Sequence, residues 1–216
     1  MEEISQEKVW DLIAKYWNKY KSESFGSKDG LIDSFILYKD KVLDLGCGSG
    51  RNFISKGHFY GIDFSLEMLN FAKKNALKKK IKTELKKANL WKTGYEDNFF
   101  DKVICIAALH CVKSKLNRKK TIKEIYRVLK PKGKAIITVW NKDSKRWKNK
   151  SKEITASWTL ESDDDKKNIK EKKVLRYYYL YSLDELKKVL ESTGFKIIRH
   201  SYEDARNIVI IVEKSV

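Results

Sequence analysis

Hydrophobic positions along the chain fall into two rhythms. Short, nearly continuous apolar runs at KVLDLGC (41–47), GHFYGIDF (57–64), DKVICIAAL (101–109) and KAIITVW (134–140) predict buried strands. Helical spacing fills the gaps. Residues 5–22 place Val9, Leu12, Ile13, Tyr16 and Trp17 on one side of a helix, and a second short helix is predicted over 29–37. SLEMLNFAKKNA (65–76) is a helix capped by Ser65, and NRKKTIKEIYRVLK (117–130) turns Ile122, Ile125, Tyr126 and Leu129 inward before Pro131 stops it. IKTELKKAN (81–89) alternates apolar with polar, as an edge strand does. Order is clear again from VLRYYYLYS onward. In SLDELKKVLESTG (182–194), Ser182 and Glu185 form a capping box and Gly194 ends the helix. FKIIRHSYE and NIVIIVEK close the chain as two abutting strands.

Strand and helix alternate until that final pair, which predicts an α/β fold. It is a Rossmann-like, seven-stranded, mostly parallel sheet with an antiparallel C-terminal hairpin strand and helices on both faces. The 216 residues read as a single domain, with N-terminal helices over 1–40. Residues 141–173 break the pattern. They hold 11 basic and 7 acidic residues with little periodicity, and are expected to form a charged, mobile insertion.

Composition narrows the partners. Forty-seven Lys and Arg against 29 Asp and Glu leave a formal charge of +18, which favours a polyanion, with nucleic acid first. The tracts KKNALKKKIKTELKK (73–87) and 113–134 are the expected phosphate contacts, at least one of them beside the ligand mouth. Cys47, Cys105 and Cys111 cannot pair completely and lack zinc-site spacing, so they read as reduced thiols, no metal site is expected, and the predicted location is cytoplasmic. The opening MEEISQEKVW has no apolar h-region, and no run approaches a membrane span.

The chemistry concentrates in VLDLGCGSGRNF (42–53), where Gly46, Gly48 and Gly50 follow the first strand at every second position. Ligands of such sheets sit beyond the carboxyl ends of the strands. A dinucleotide site wants GxGxxG and a pyrophosphate; here the third glycine comes one residue early and Asp44 precedes the loop. A carboxylate about 4 Å from a phosphate costs roughly 4 kcal/mol at an effective dielectric near 20. A nucleoside with a positive end fits better, and S-adenosylmethionine, with its sulfonium and ammonium, is the expected cofactor. Asp63, ending the second strand, can accept both ribose hydroxyls. Phe64 can pack on the adenine and Asn89 can bond its edge. Leu90 and Ala107, at the ends of the next strands, complete the expected cofactor set.

DLGCGSG, GIDFS, FFDKVICIAALH and RVLKPKGKAIITVW as a set resemble the class I S-adenosylmethionine-dependent methyltransferases over residues 41–140. IAALHC (106–111) and LRYYYLYSLDEL (175–186) further resemble the tRNA wobble-uridine methyltransferases, also found fused to AlkB-like dioxygenases, which convert 5-carboxymethyluridine to its methyl ester. VWDLIAKYWNKYK (9–21), SWTL (157–160) and SYEDARNIVIIVEK (201–214) extend the likeness to both ends. The resemblance implies Lys21, His110, Arg176 and Tyr177 as substrate-side, catalytic residues. It also implies the tRNA anticodon loop as substrate and a small zinc-binding activator subunit, making a heterodimer by pairing beside edge strand 81–89.

Three departures stand out. Cys111 follows His110 where the family often has a second histidine. Lys21 stands where the family has arginine, which removes a bidentate fork. Tyr179 closes Arg176–Tyr179 where the family has histidine. A carboxylate acceptor is already ionised at pH 7 and needs no general base, so His110 is expected to position it; toward a hydroxyl it would be the base. The competing function is methylation of a small acid, lipid or quinone precursor.

Overall fold

The computed structural model describes residues 4–20, 25, 30–160 and 172–215. Nine strands and five helices follow in order. They are α1 (Gln6–Tyr20), α2 (Leu31–Phe35), β1 (Lys41–Leu45), β2 (His58–Asp63), α3 (Leu66–Lys78), β3 (Thr83–Lys87), β4 (Phe100–Ile106), α4 (Lys115–Val128), β5 (Leu129–Trp140), β6 (Glu153–Leu160), β7 (Lys172–Tyr179), α5 (Leu183–Glu191), β8 (Phe195–Glu203) and β9 (Asn207–Lys214). A 3₁₀ turn, Leu109–Cys111, follows β4.

Seven strands form one sheet in the order β3-β2-β1-β4-β5-β9-β8. The first five are parallel, and β9 runs antiparallel between β5 and β8. The order reverses between β1 and β4, so the crevice beyond their carboxyl ends is where a ligand belongs. Continuous apolar runs bury most of β1, β2 and β4: Leu43, Leu45, Ile62, Val103, Ile104 and Cys105 are at 0% exposure. β3 is an edge, as its alternation predicts.

Local capping also follows the sequence. Ser65 Oγ accepts from Met68 N at the start of α3, and Ser182 Oγ accepts from Glu185 N at the start of α5. The Glu185 carboxylate is used differently from the expected capping box: it accepts from Tyr179 Oη and pairs with Lys152.

The stretch 141–173 departs from the expectation of an irregular insertion. Residues 153–160 form β6, which pairs antiparallel with β7 from Glu153↔Tyr179 to Leu160↔Lys172 in a separate two-stranded sheet. Ile154, Ala156, Trp158 and Leu160 alternate inward and pack with Trp10, Ile13 and Tyr178 against α1. Residues 161–171 lie outside the described part. Among the described residues, no helix is long and apolar enough to cross a membrane.

Candidate functional site

Beyond the carboxyl ends of β1–β4 lies a pocket of about 180 Å³. Its floor is the Gly46–Asn52 loop, Asp63 and Phe64. Asn89–Trp91 and Ile106–Ala108 form the sides, with Cys111–Lys113 at the mouth. Gln6, Trp10 and Trp17 of α1 and Met68 of α3 close it from the other direction.

The glycine loop explains itself by geometry. Gly46 has φ +81°, and a Cβ there would lie 2.4 Å from Ala108 Cβ, so only glycine lets the loop meet the β4 end. Gly50 also has positive φ, and its added Cβ would meet the Phe53 ring at 2.5 Å. It fits the loop onto Phe53 and α3 and does not line the pocket. Gly48 has room: its Cβ would point toward Trp17 and Met68, both pocket walls.

Asp63 Oδ2 accepts from Gly48 N at 2.9 Å and Oδ1 from Ser65 N at 3.0 Å. One carboxylate thus holds the loop and the start of α3 together, with lone pairs left for a ligand. Burial pushes Asp63 up to about 6, against the lowering effect of those backbone bonds. Asp44 is at 0% exposure, behind the pocket wall, and neither oxygen has a hydrogen-bond partner within the described structure. Burial pushes it up to about 7; Arg51 pulls the other way, Asp63 adds to the rise, and the nearby Asn52 amide lowers it slightly without completing a hydrogen bond. An orphaned, buried carboxylate beside a loop with glycine walls fits a cationic ligand. Arg51, which the sequence reading did not single out, lines the same pocket and partly offsets this negative field.

Phe64, Asn89, Leu90 and Ala107 all line the pocket. Ala107 holds φ +56°, uncommon for a residue with a Cβ, and its N–H donates to Thr138 Oγ1 at 2.8 Å. That bond keeps the β4 end turned toward the cavity.

The substrate-side residues behave differently. Arg176 is half-buried, with its guanidinium over Trp158 at 4.8 Å and Tyr178 at 5.4 Å, and its Nε is buried without a hydrogen-bond partner. Its charge is felt at Cys111, on the pocket wall. Tyr177 points to the opposite face. Its Oη accepts from Arg118 Nη1 at 3.0 Å and its N–H donates to Gln6 Oε1, so it is a core residue and does not reach the pocket. His110 is 1% exposed, stacks on Trp140, lies tilted against Tyr178 at 5.6 Å, and accepts the Trp140 N–H on Nδ1. Burial depresses it to about 3, so it is a neutral, stacked group behind Cys111 and not a pocket wall. The sequence places His110 and Tyr177 beside the acceptor; in the structure neither lines the pocket. Lys21 lies outside the described residues.

Several walls had no place in the sequence-based site: Gln6, Trp10, Trp17, Arg51, Asn52 and Lys113. The available signal was Trp10 and Trp17, seven apart on α1, a spacing that puts both on one face. Their rings sit 5.1 Å apart, and Trp17 lies 6.2 Å from Trp158. α1 is held down by Asp11, which accepts from Ser65 Oγ at 2.6 Å, and by Gln6, which bonds the β7 backbone. Arg118, 4% exposed, donates to the carbonyls of Val112 and Lys113 at 2.9 Å and to Tyr177. It fastens the pocket mouth to the β6–β7 hairpin.

The fold and pocket place an acid-backed cavity at the switch point of a mostly parallel α/β sheet. A methyltransferase domain family matches residues 38–194. A candidate methyltransferase of Encephalitozoon cuniculi is 26% identical over 220 residues, covering 99% of this chain and 97% of that protein. The tRNA (carboxymethyluridine(34)-5-O)-methyltransferase of Schizosaccharomyces pombe is 25% identical over 225 residues, covering 96% and 95%. The crystal structure of an S-adenosylmethionine-dependent methyltransferase from Clostridium acetobutylicum superposes with a TM-score of 0.71 at 16% identity, over 96% of this chain and 100% of that one. The chain belongs to the methyltransferase domain family, within the class I enzymes whose cofactor is S-adenosylmethionine.

Proposed function

We propose that the protein methylates the carboxylate of a 5-carboxymethyl-type uridine at the tRNA wobble position. The observation that carries this reading is the end-to-end similarity to the Schizosaccharomyces pombe enzyme, 96% of one chain against 95% of the other, flanking segments included. The +18 charge agrees with an RNA substrate.

In this reading Asp63 takes the ribose hydroxyls, Asn89 and Leu90 border the adenine with Phe64, and the Gly46–Gly48 backbone receives the amino-acid end. The cofactor supplies an electrophilic methyl group. The protein's part is alignment and exclusion of water. Trp10, Trp17 and Met68 roof the cavity and keep it dry. Arg176, stacked on Trp158 at the edge of the same roof, pairs with the acceptor carboxylate or its neighbouring phosphate, while the half-buried Trp158 borders the unstacked base. No side chain has to remove a proton, because the acceptor is already an anion. A neutral, inaccessible His110 is compatible with that chemistry and poorly suited to a base.

A small activator subunit would add its strand beside β3, one of the two edges of the sheet. Lys86 and Lys87 there are occupied within the chain, by Gly94 O and Glu7, so they guard the edge less than their charge implies. Co-expression with such a subunit is expected to raise soluble yield and activity.

The test is methyl transfer from labelled cofactor, run in parallel on bulk tRNA and on an RNA-free small-molecule extract. Label in tRNA supports the proposal; label in the extract alone favours the small-acid or lipid alternative.

A further inference from the structure

The segment joining β5 to β6, residues 141–152, leaves the sheet at the same carboxyl edge that carries the pocket. It holds six basic residues and one acidic residue. It is also built, where a charged linker would be loose. Trp147 is 9% exposed and stacks on Trp140 at 5.2 Å; Trp140 in turn stacks on Tyr178 at 4.1 Å and on His110 at 5.2 Å. An aromatic column therefore runs from the turn bearing Cys111, at the pocket mouth, out to this loop. Lys142 spends its ammonium on the carbonyls of Trp147 and Lys148, at 3.5 and 2.6 Å, and Asn141 Oδ1 accepts from Asp143 N. Backbone bonds from Trp147 and Lys148 to Ser144 O close the turn.

Lys152 pairs with Glu185. Lys145, Arg146, Lys148 and Lys150 are exposed and meet no acidic side chain among the described residues. Four cations are thus displayed on a rigid turn one aromatic column away from the reaction site. An anionic membrane could attract the same charge, but it wants apolar side chains to bury. The loop offers none, because Trp147 is turned inward.

We propose that residues 145–150 are a phosphate clamp, gripping the RNA backbone next to the nucleotide whose base enters the pocket. The clamp rests on the tRNA reading above and names the surface that reading needs. Preordering the cations lowers the entropy lost on binding, and removing them costs affinity in proportion to the phosphates released.

The test replaces Lys145, Arg146, Lys148 and Lys150 together by Ser in the full chain. Filter binding to bulk tRNA is then measured from about 50 to 200 mM salt. If all four hold phosphates, the loss of affinity across that range shrinks roughly 50- to 150-fold, at about 0.7–0.9 in salt slope per contact. Cofactor affinity, read by calorimetry, stays unchanged and shows the domain is folded. Replacing Lys188, Lys196 and Arg199, exposed on α5 and the far edge strand β8, moves the slope much less per charge. An unchanged slope in the loop variant, while wild-type protein binds and methylates tRNA, overturns the clamp and leaves the function standing. Equal effects per charge in both variants overturn it too. Wild-type protein that ignores tRNA, or that binds anionic vesicles in its place, overturns both readings.

Discussion

The two sides of the pocket are made differently. The cofactor side, residues 42–65, is a local device: the Gly46–Gly48–Gly50 turn, Asp44, Asp63 and the capping Ser65, all within one strand–turn–strand stretch. The roof and mouth are assembled from afar. Trp10 and Trp17 come from α1, Trp158 and Arg176 from the hairpin, and Lys113 from beyond β4, and Arg118 fixes their relation through one buried guanidinium. The first side is dictated by backbone conformation and tolerates little; the second is dictated by packing and can drift, which suits a surface that must choose a substrate.

That contrast can be broken by substitution. The largest effect is expected for Gly46→Val. A Cβ 2.4 Å from Ala108 at φ +81° cannot be relieved without moving the β4 end, so cofactor binding is expected to fall at least about 100-fold in calorimetry, with a lower melting temperature. Arg118→Met should cost about 2–4 kcal/mol in denaturant unfolding, because three hydrogen bonds to a charged group disappear. Arg118→Lys, with no fork, should recover only part of it.

Arg176→Lys separates the two sides. Methyl transfer to tRNA is expected to drop roughly tenfold for loss of the bidentate fork, with cofactor affinity unchanged. If cofactor affinity fell with it, the division between the two sides would be wrong.

The smallest effect is a pH slope. Asp44 and Asp63 are raised toward about 7 and about 6 by burial, and a cationic ligand favours their ionised forms. Binding therefore releases protons, and affinity should rise with pH between roughly 5.5 and 7.5 and level off above, by at most about tenfold per unit for each coupled group. For folding the sign is opposite: a raised carboxylate pKa makes the empty fold bind more protons than the unfolded chain, so stability falls as pH climbs from the ordinary carboxylate value of 3.8 through about 6 for Asp63 and about 7 for Asp44. Asp44→Asn should flatten both slopes. An affinity that drops as pH rises would contradict the assignment of these acids.

The legibility of the sequence divides along the same line. The glycine turn after β1, the acidic end of β2 and the Ser65 cap were readable as local structure because each obeys a rule spanning a few residues, and the strand runs dictated the sheet in its correct class. β6 was missed although EITASWTL alternates, because Lys and Glu around it hid a period-2 pattern inside a charged stretch. His110 and Tyr177 were chosen by type and likeness. Their orientations depend on which face of a strand or turn meets Trp140 and Arg118, contacts separated by tens of residues that no local pattern encodes. Arg51 and the roof tryptophans escaped for the same reason.

The account turns on the chemical identity of the acceptor. The direct measurement is mass analysis of nucleosides from tRNA incubated with the purified protein and a deuterated-methyl cofactor. The expected product is a labelled methyl ester on the 5-substituent of the wobble uridine, lost as methanol in mild alkali. Label in an alkali-stable linkage, on a base ring or ribose, would contradict it.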